Sequence, residues 1–524
     1  MNRDHDSGAR NIAGLNPARP GMPGDAALMT LKGHPWLWMI PLLLLAVFLA
    51  GRRLNSLTFT KDETWTLIYV GARNPGPYTI AQALESELDI SGDQPFGWTI
   101  LINRWGAVAG WSTVAMRAWS LLFGVLALAM LWRAGRDMFG DAVGLAACLL
   151  LMSSSLFMQY FHVARAFTAV VFFTSLTLWS YWRIALNQHL ATRTGVAGLL
   201  PGGIGLLYSH YFAALLLPAL GLFHLLFVRK DRRWWVTSLL FVLISLAATP
   251  ELTALRIGVE HNVSQYGAGG PPLQLAEVLE RLLYTMSNGV FHWPRSLNAV
   301  LLALIPIAVL ALYRTRSRGS VQLRRSWFLG FTALFFFLLV VGVNHFVPVL
   351  FPSRMRYLLA LWPPLTLIVA VAIHHLGRSR QRLADSLLAG IVASGIVLIF
   401  ATPYYRQHDY HEESIIHLAD QALQQLAGPD DFLLLHEEVL PSEPLNSDFY
   451  LKVWEYPREV ISGETDPEQV VQSARNHSRV WLLAKEQGNV TERELAAAMR
   501  FCQRPVRRGD LVLTLYARSE ADCD

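Results

Sequence analysis

Up to about residue 402 the chain alternates long apolar runs with short polar loops, a pattern of bilayer-spanning helices. Runs near Trp36–Ala50, 114–132, 142–158, 166–186, 195–208, 211–228, 234–249, 297–313, 327–344, 357–376 and 386–402 predict about eleven transmembrane helices. The run at 195–208 is short and Gly-rich, so counts of about ten or twelve stay open. No small-residue cleavage site follows the first run, and Arg52-Arg53 come next, so it reads as a membrane anchor and not a signal peptide. Residues 1–30, rich in Gly, Pro, Arg and Asp without periodicity, read as a disordered leader.

Loop charge orients the spans. Arg133 and Arg136, Arg183 and Arg193, Arg229-Lys230-Asp231-Arg232-Arg233, Arg314 through Arg325, and Arg378 through Arg382 fall in alternate loops, which the positive-inside rule makes cytoplasmic. The N-terminus is then cytoplasmic, and the chain beyond about residue 405 is periplasmic or extracytoplasmic. Arg52-Arg53 run against the rule but precede a long loop, where it is weak. Two outer segments are long, about 52–113 and about 250–296. The first holds a helix-prone Ile80–Leu88 stretch and an apolar Phe96–Val108 stretch broken by Asn103, Arg104 and Gly106, read as a helix lying in the interface. The second carries Tyr266-Gly267-Ala268-Gly269-Gly270-Pro271-Pro272, either a lid or a plain connector.

From residue 405 to 524 the pattern changes. Strand-like Phe432–Leu435, Glu459–Ile461, Arg479–Leu483 and Leu511–Tyr516 alternate with helix-like Glu412–Leu426, Asn446–Val453, Pro467–Ala474 and Glu492–Arg500. This predicts a small soluble α/β domain after a membrane domain at 31–404. It has no Gly-rich phosphate loop after a strand, so nucleotide binding is unsupported.

Composition agrees: 53% of residues are hydrophobic and only 16% charged, against about a quarter charged in soluble proteins. The net charge of +5 hides an asymmetry, with 12 Lys/Arg against 22 Asp/Glu from Arg406 onward and 32 against 17 before it. The basic excess lies in short loops and is a topology signal, not a nucleic-acid patch. Cys502 and Cys523 share the tail and either pair or remain free thiols. Three glycosylation sequons, at Asn262, Asn476 and Asn489, are expected to be unused.

The spans are nearly free of Asp and Glu, which weighs against an ion-coupled transporter. The candidate chemistry clusters at outer ends instead. Lys61-Asp62-Glu63-Thr64 follows the first span; Asp93, Arg117, the Tyr160-Phe161-His162-Val163-Ala164-Arg165 turn, Tyr208-Ser209-His210-Tyr211 and Arg356-Tyr357 are assigned to the same side. A carboxylate with arginines and aromatic rings suits transfer from a phosphate-linked donor: the carboxylate activates an acceptor hydroxyl and the arginines hold the leaving phosphate. The same residues also have ordinary readings, as a solvated Asp-Glu cap and as arginines contacting lipid headgroups. No metal-ligand spacing or cofactor motif is present, since His374-His375 are adjacent and the cysteines are scattered.

At these residues the chain resembles the bacterial GT-C superfamily of polyprenyl-phosphate-dependent glycosyltransferases, relatives of the protein O-mannosyltransferases and of the aminoarabinose transferases that modify lipid A. Asp62-Glu63-Thr64-Trp65-Thr66-Leu67 is similar to the family's opening of the first outer loop, and Asp93-Gln94-Pro95-Phe96 matches its following motif loosely. Ala115-Met116-Arg117, Gly135-Arg136-Asp137-Met138-Phe139-Gly140, Tyr160 to Phe167, Tyr208-Ser209-His210-Tyr211-Phe212 and Arg356-Tyr357 before Pro363-Pro364 follow in the family's order. Val163 and Gln94 depart from the family's pattern, where it has an acid and a proline.

The resemblance implies an α-helical integral membrane protein of GT-C fold in the bacterial inner membrane, with a C-terminal α/β periplasmic domain. It implies transfer, by inversion, of a sugar from a polyprenyl-phosphate donor to a lipid, glycan or protein acceptor. Asp62 would be the base with Glu63 supporting it. Arg165 and Arg356 would hold the donor phosphate, while Lys61, Asp93, Arg117, Tyr160, His162, His210, Tyr211 and Tyr357 would complete the substrate site, with no metal or other cofactor. The rival readings are a non-catalytic module that binds lipid-linked sugar and a transporter or flippase.

Overall fold

The structure is a computed structural model that describes residues 35–52, 54, 61–72, 77–90, 94–187, 192–266, 275–279, 321–346, 352–401, 419, 422–423, 425–428, 430–436, 458–461, 465–485, 490–508 and 511–523. The leader, the 297–313 run and the glycine-rich stretch at 267–272 lie outside those residues.

Four helices open the chain: α1 (Met39–Gly51), α2 (Lys61–Tyr69), α3 (Ile80–Ile90) and α4 (Phe96–Ala109). There follow α5 (Thr113–Phe139), α6 (Asp141–Met152), α7 (Ser155–Gln159) and α8 (Phe167–Tyr181). Next come α9 (Thr192–Leu207), α10 (Tyr211–Ala214), α11 (Leu216–Phe227), α12 (Arg232–Ala247) and α13 (Thr249–Tyr266). After α14 (Val321–Phe346), α15 (Trp362–Ala401) joins two helices across a non-helical Arg380.

The apolar runs expected to span fall on helices wherever they lie among the described residues. The protein is a multi-pass membrane protein, and one of the eleven crossings expected, 297–313, lies outside the described residues. Among the described residues four helices are long and apolar enough, and up to six if the bent pairs α6–α7 (66°) and α12–α13 (49°) each count as one crossing. Within the described residues, several of the expected runs are broken or short. The 142–158 run breaks at Ser153-Ser154, 211–228 breaks at Leu215, and α1 is only 13 residues long. The described residues of the 52–113 segment are largely helical, and α4 is the helix expected from Phe96–Val108.

Small residues set the helix contacts where no hydrophobic effect operates between helices in lipid. A Cβ on Gly198 would meet Ser180 Oγ at 2.2 Å, and one on Gly205 would meet the Phe173 ring at 2.3 Å. The glycines that make the 195–208 run look weak are therefore what seats α9 on α8. Gly140, at φ +105°, closes α5, and Gly135 lies against Gly144 so closely that a Cβ would be 2.7 Å from its Cα. Asp137 in that turn accepts from Arg133, Trp179 and Arg183.

The tail is a five-stranded sheet of β1 (Phe432–His436), β2 (Arg458–Ile461), β3 (Arg479–Lys485), β4 (Arg500–Arg508) and β5 (Leu511–Ala517), in the order β2-β1-β3-β5-β4. β1 runs parallel to β2 and β3, while β5 is antiparallel to β3 and β4. Alternation puts Leu433, Leu435, Trp481 and Leu483 in one core, and Phe432, Leu434, Val480 and Leu482 in another beside α16 (Pro467–Arg475) and α17 (Val490–Ala498). Two expectations change. α17 ends at Ala498, and Arg500 instead begins β4, a strand not foreseen. Pro505 and two register shifts are tolerated there because β4 is an edge. Cys502 on β4 is joined to Cys523 by a disulfide. The predicted Asn446–Val453 helix lies outside the described residues.

Candidate active site

Ser112 caps α5 by accepting from the Ala115 amide, which starts the helix so that Arg117 lies just over one turn in. From there Arg117 donates Nε and Nη2 to the two carboxylate oxygens of Glu63, both at 2.8 Å. Its Nη1 donates to Leu54 O at 3.0 Å, and the Ala164 amide donates to Glu63 Oε1 at 2.6 Å. Both side chains are fully buried. Two charges can be held out of water only when paired and hydrogen-bonded in this way. Glu63 and Arg117 thus fasten α2 to α5 and to the 160–166 turn, and Arg117 is enclosed by them instead of lining an open cavity. Lys61 and Asp62 lie in the first turn of α2; their side chains are not among the described residues.

The turn whose Ala164 amide donates to Glu63 carries the next group. Ser120 Oγ donates to Arg165 O at 3.1 Å, and Arg165 Nη1 donates to Thr66 Oγ1 at 3.1 Å, one turn along α2 from Glu63. Tyr160 packs on Phe167 with ring centroids 4.5 Å apart, and His162 is buried in the same turn. The Arg356 guanidinium lies 5.7 Å from the centroid of Phe167 and 5.9 Å from that of Tyr357. His210, between α9 and α10, has its ring 4.6 Å from Tyr357 and 5.4 Å from Phe167.

His210 Nδ1 accepts from the Phe212 amide at 3.2 Å, which fixes a neutral ring with its proton on Nε2. Burial, and then the positive charges of Arg165 and Arg356, push its pKa down to about 3. An uncharged imidazole among the rings of Phe167, Phe212 and Tyr357, under the charge of two guanidiniums, is a place for an anion. It is not a place for another cation.

His210, Arg356 and Tyr357 thus share one cluster around Phe167, and Arg165, bonded to Thr66 of α2, acts on the same imidazole through its charge. Tyr211 points elsewhere, donating to Gln94 O at 3.2 Å and to Glu251 Oε2 at 3.4 Å. Asp93 is outside the described residues. Two buried acids were not anticipated. Glu251 accepts from the Phe96 and Gly97 amides, and Glu87 from the Gln94 amide and Thr99 Oγ1. The Thr249-Pro250-Glu251 sequence signals the start of α13, but nothing in it points to α4, some 154 residues away. Among the described residues, no three His, Cys, Asp or Glu side chains gather at metal-binding spacing.

Residues 93–253, which hold Arg117, the 160–165 turn, His210 and Glu251, match the family model of dolichyl-phosphate-mannose-protein mannosyltransferases. The fold is that of ArnT from Cupriavidus metallidurans. Its crystal structure bound to undecaprenyl phosphate superposes with a TM-score of 0.56 at 13% identity, covering 93% of this chain and 98% of that one. The apo structure gives 0.53 at 12% identity, covering 91% and 97%. No curated protein matches the sequence. The family match and the shared fold bear out the resemblance to the GT-C superfamily of polyprenyl-phosphate glycosyltransferases.

Proposed function

From a GT-C fold that carries a mannosyltransferase-family segment, we propose that the protein transfers a sugar from a polyprenyl-phosphate donor to a hydroxyl acceptor at the outer face of the bacterial inner membrane. The observation that carries this reading is the cluster of Arg356, Tyr357, Phe167 and the neutral His210, with Arg165 adding positive charge from its place on Thr66 of the acidic helix α2. In the reaction, Asp62 takes the proton of the acceptor hydroxyl as its oxygen attacks the anomeric carbon. The bond from that carbon to the phosphate oxygen breaks, and its electron pair leaves with the phosphate. A single displacement inverts the centre. Arg165 and Arg356 bind the phosphate and strengthen their hold as its charge grows, so the leaving group needs no general acid. His210 adds a neutral N–H donor without repelling either arginine. The undecaprenyl phosphate in the ArnT crystal supports a donor of this lipid class. The acidic tail with its disulfide supports an oxidising, extracytoplasmic location for residues 405–524.

The test is donor consumption by purified protein in detergent, with a panel of polyprenyl-phosphate sugars and a membrane-extract acceptor pool. The Asp62→Asn variant should lose transfer while still inserting and binding polyprenyl phosphate. Full activity in that variant would remove the assignment of the base. Tight lipid binding without turnover of any donor by the native protein would select the non-catalytic binding module instead.

A further inference from the structure

Helix α4 begins without a cap of its own. Its N-cap residue is Pro95, which has extended backbone angles and no side-chain bond to the helix. The orphan amides are met from elsewhere. Glu251, at the start of α13 and only 3% exposed, takes the Phe96 amide on Oε2 at 3.1 Å and the Gly97 amide on Oε1 at 3.2 Å. Glu87 of α3 takes the preceding Gln94 amide at 2.8 Å. Tyr211, the residue after His210, donates to both Gln94 O and Glu251. A separate packing feature marks the same junction: a Cβ on Gly97 would lie 2.3 Å from Tyr208 Cβ and 2.8 Å from Tyr208 O. Tyr208 itself donates to Ala247 O, at the end of α12, at 2.7 Å. The entry to α4, the Tyr208–Tyr211 turn and the α12–α13 bend are thus one bonded unit with Glu251 at its centre.

We propose that Glu251 is a positioning residue for the transfer reaction: by holding α4 and Tyr211 on one carboxylate, it fixes the turn that presents His210 to Arg165 and Arg356. This rests on the glycosyltransferase reading above. Glu251 touches no residue assigned to the reacting atoms, and its effect passes through Tyr211. It also ties the start of α13 to the start of α4 in the first long loop.

The experiment uses the full-length protein in detergent, with Glu251→Ala, Glu251→Gln and Tyr211→Phe compared with the native chain. Hydrogen exchange over residues 94–100 is measured beside donor turnover and equilibrium binding of undecaprenyl phosphate. Glu251→Ala should speed exchange at Phe96 and Gly97 and lower turnover at saturating donor by about 10- to 100-fold, with lipid binding held within about threefold. Glu251→Gln, which keeps an acceptor oxygen and the side-chain volume, should fall between the two. Tyr211→Phe should lower turnover while leaving the amides protected. Unchanged exchange in both Glu251 variants overturns the proposal, as does faster exchange with native turnover. A loss of lipid binding equal to the loss of turnover would make Glu251 part of the donor site and also overturns it. Should the native protein turn over no donor, the functional reading falls by itself, and the exchange arm still decides whether Glu251 holds this junction.

Discussion

Arg117 grips Glu63 through two parallel bonds of 2.8 Å, and neither side chain reaches solvent. The pair joins residues 54 positions apart and sets where α2 lies on the bundle, so its neighbour Asp62 owes its position to an interaction it does not itself make. Removing one partner would strand the other charge out of water. Glu63→Gln or Arg117→Met should each lower stability by about 3–5 kcal/mol, and the double substitution by less than the sum. Thermal unfolding in detergent checks this, and additive losses would show that the pair is not the anchor.

Arg165 and Arg356 differ from Arg117 in lying only half-buried, Arg356 against the rings of Phe167 and Tyr357 and Arg165 bonded to Thr66. Replacing either by Ala should weaken binding of undecaprenyl phosphate by about 10- to 100-fold, the worth of a hydrogen bond to a charged group. Lys in their place should not restore it fully, because a point charge cannot supply the planar fork. Binding isotherms at two salt concentrations measure both effects, and native affinity in either Ala variant would exclude that arginine from the phosphate site.

His210 makes the protein sensitive to acid in a defined window. Its pKa is held at about 3 in the folded chain, against about 6.5 when unfolded. Above about pH 6.5 both states are neutral there and the stabilisation is complete. Between that pH and about 3 the unfolded chain takes up a proton that the folded one does not, so stability falls as the pH falls. His210→Gln should lose less of its thermal midpoint between pH 7 and pH 4.5 than the native protein does. Parallel curves would mean that the imidazole is not held neutral.

The Cys502–Cys523 bond closes a loop of 21 residues between edge strand β4 and the end of the chain. Cross-links of that length constrain the unfolded chain by about 3 kcal/mol. Reduction, or Cys502→Ser, should shift urea unfolding of the tail by about that amount in the intact protein. Without reductant, alkylation of the denatured protein should label Cys148 alone; labelling of all the cysteines would show that the bond does not form.

The membrane character of the chain, the places of its long apolar helices and the alternating strands β1, β2, β3 and β5 could be read from the sequence, because each depends on a local periodicity of apolar side chains; the helices α2 and α13, in the outer segments, were not foreseen. Arg165, His210, Arg356 and Tyr357 could be named as candidates from the sequence, but so could Arg117 and Tyr211, which packing turns to Glu63 and to Gln94 and Glu251. Their division of labour could not be read there. Asp62 and Glu63 are adjacent acids with the same local surroundings, and only the approach of Arg117 makes Glu63 a buried anchor. β4 escaped notice because an arginine-rich edge strand with a proline lacks the apolar alternation of a buried one. Glu251 escaped because its partners are amides, which every sequence offers everywhere; packing alone decides which of them a distant carboxylate meets.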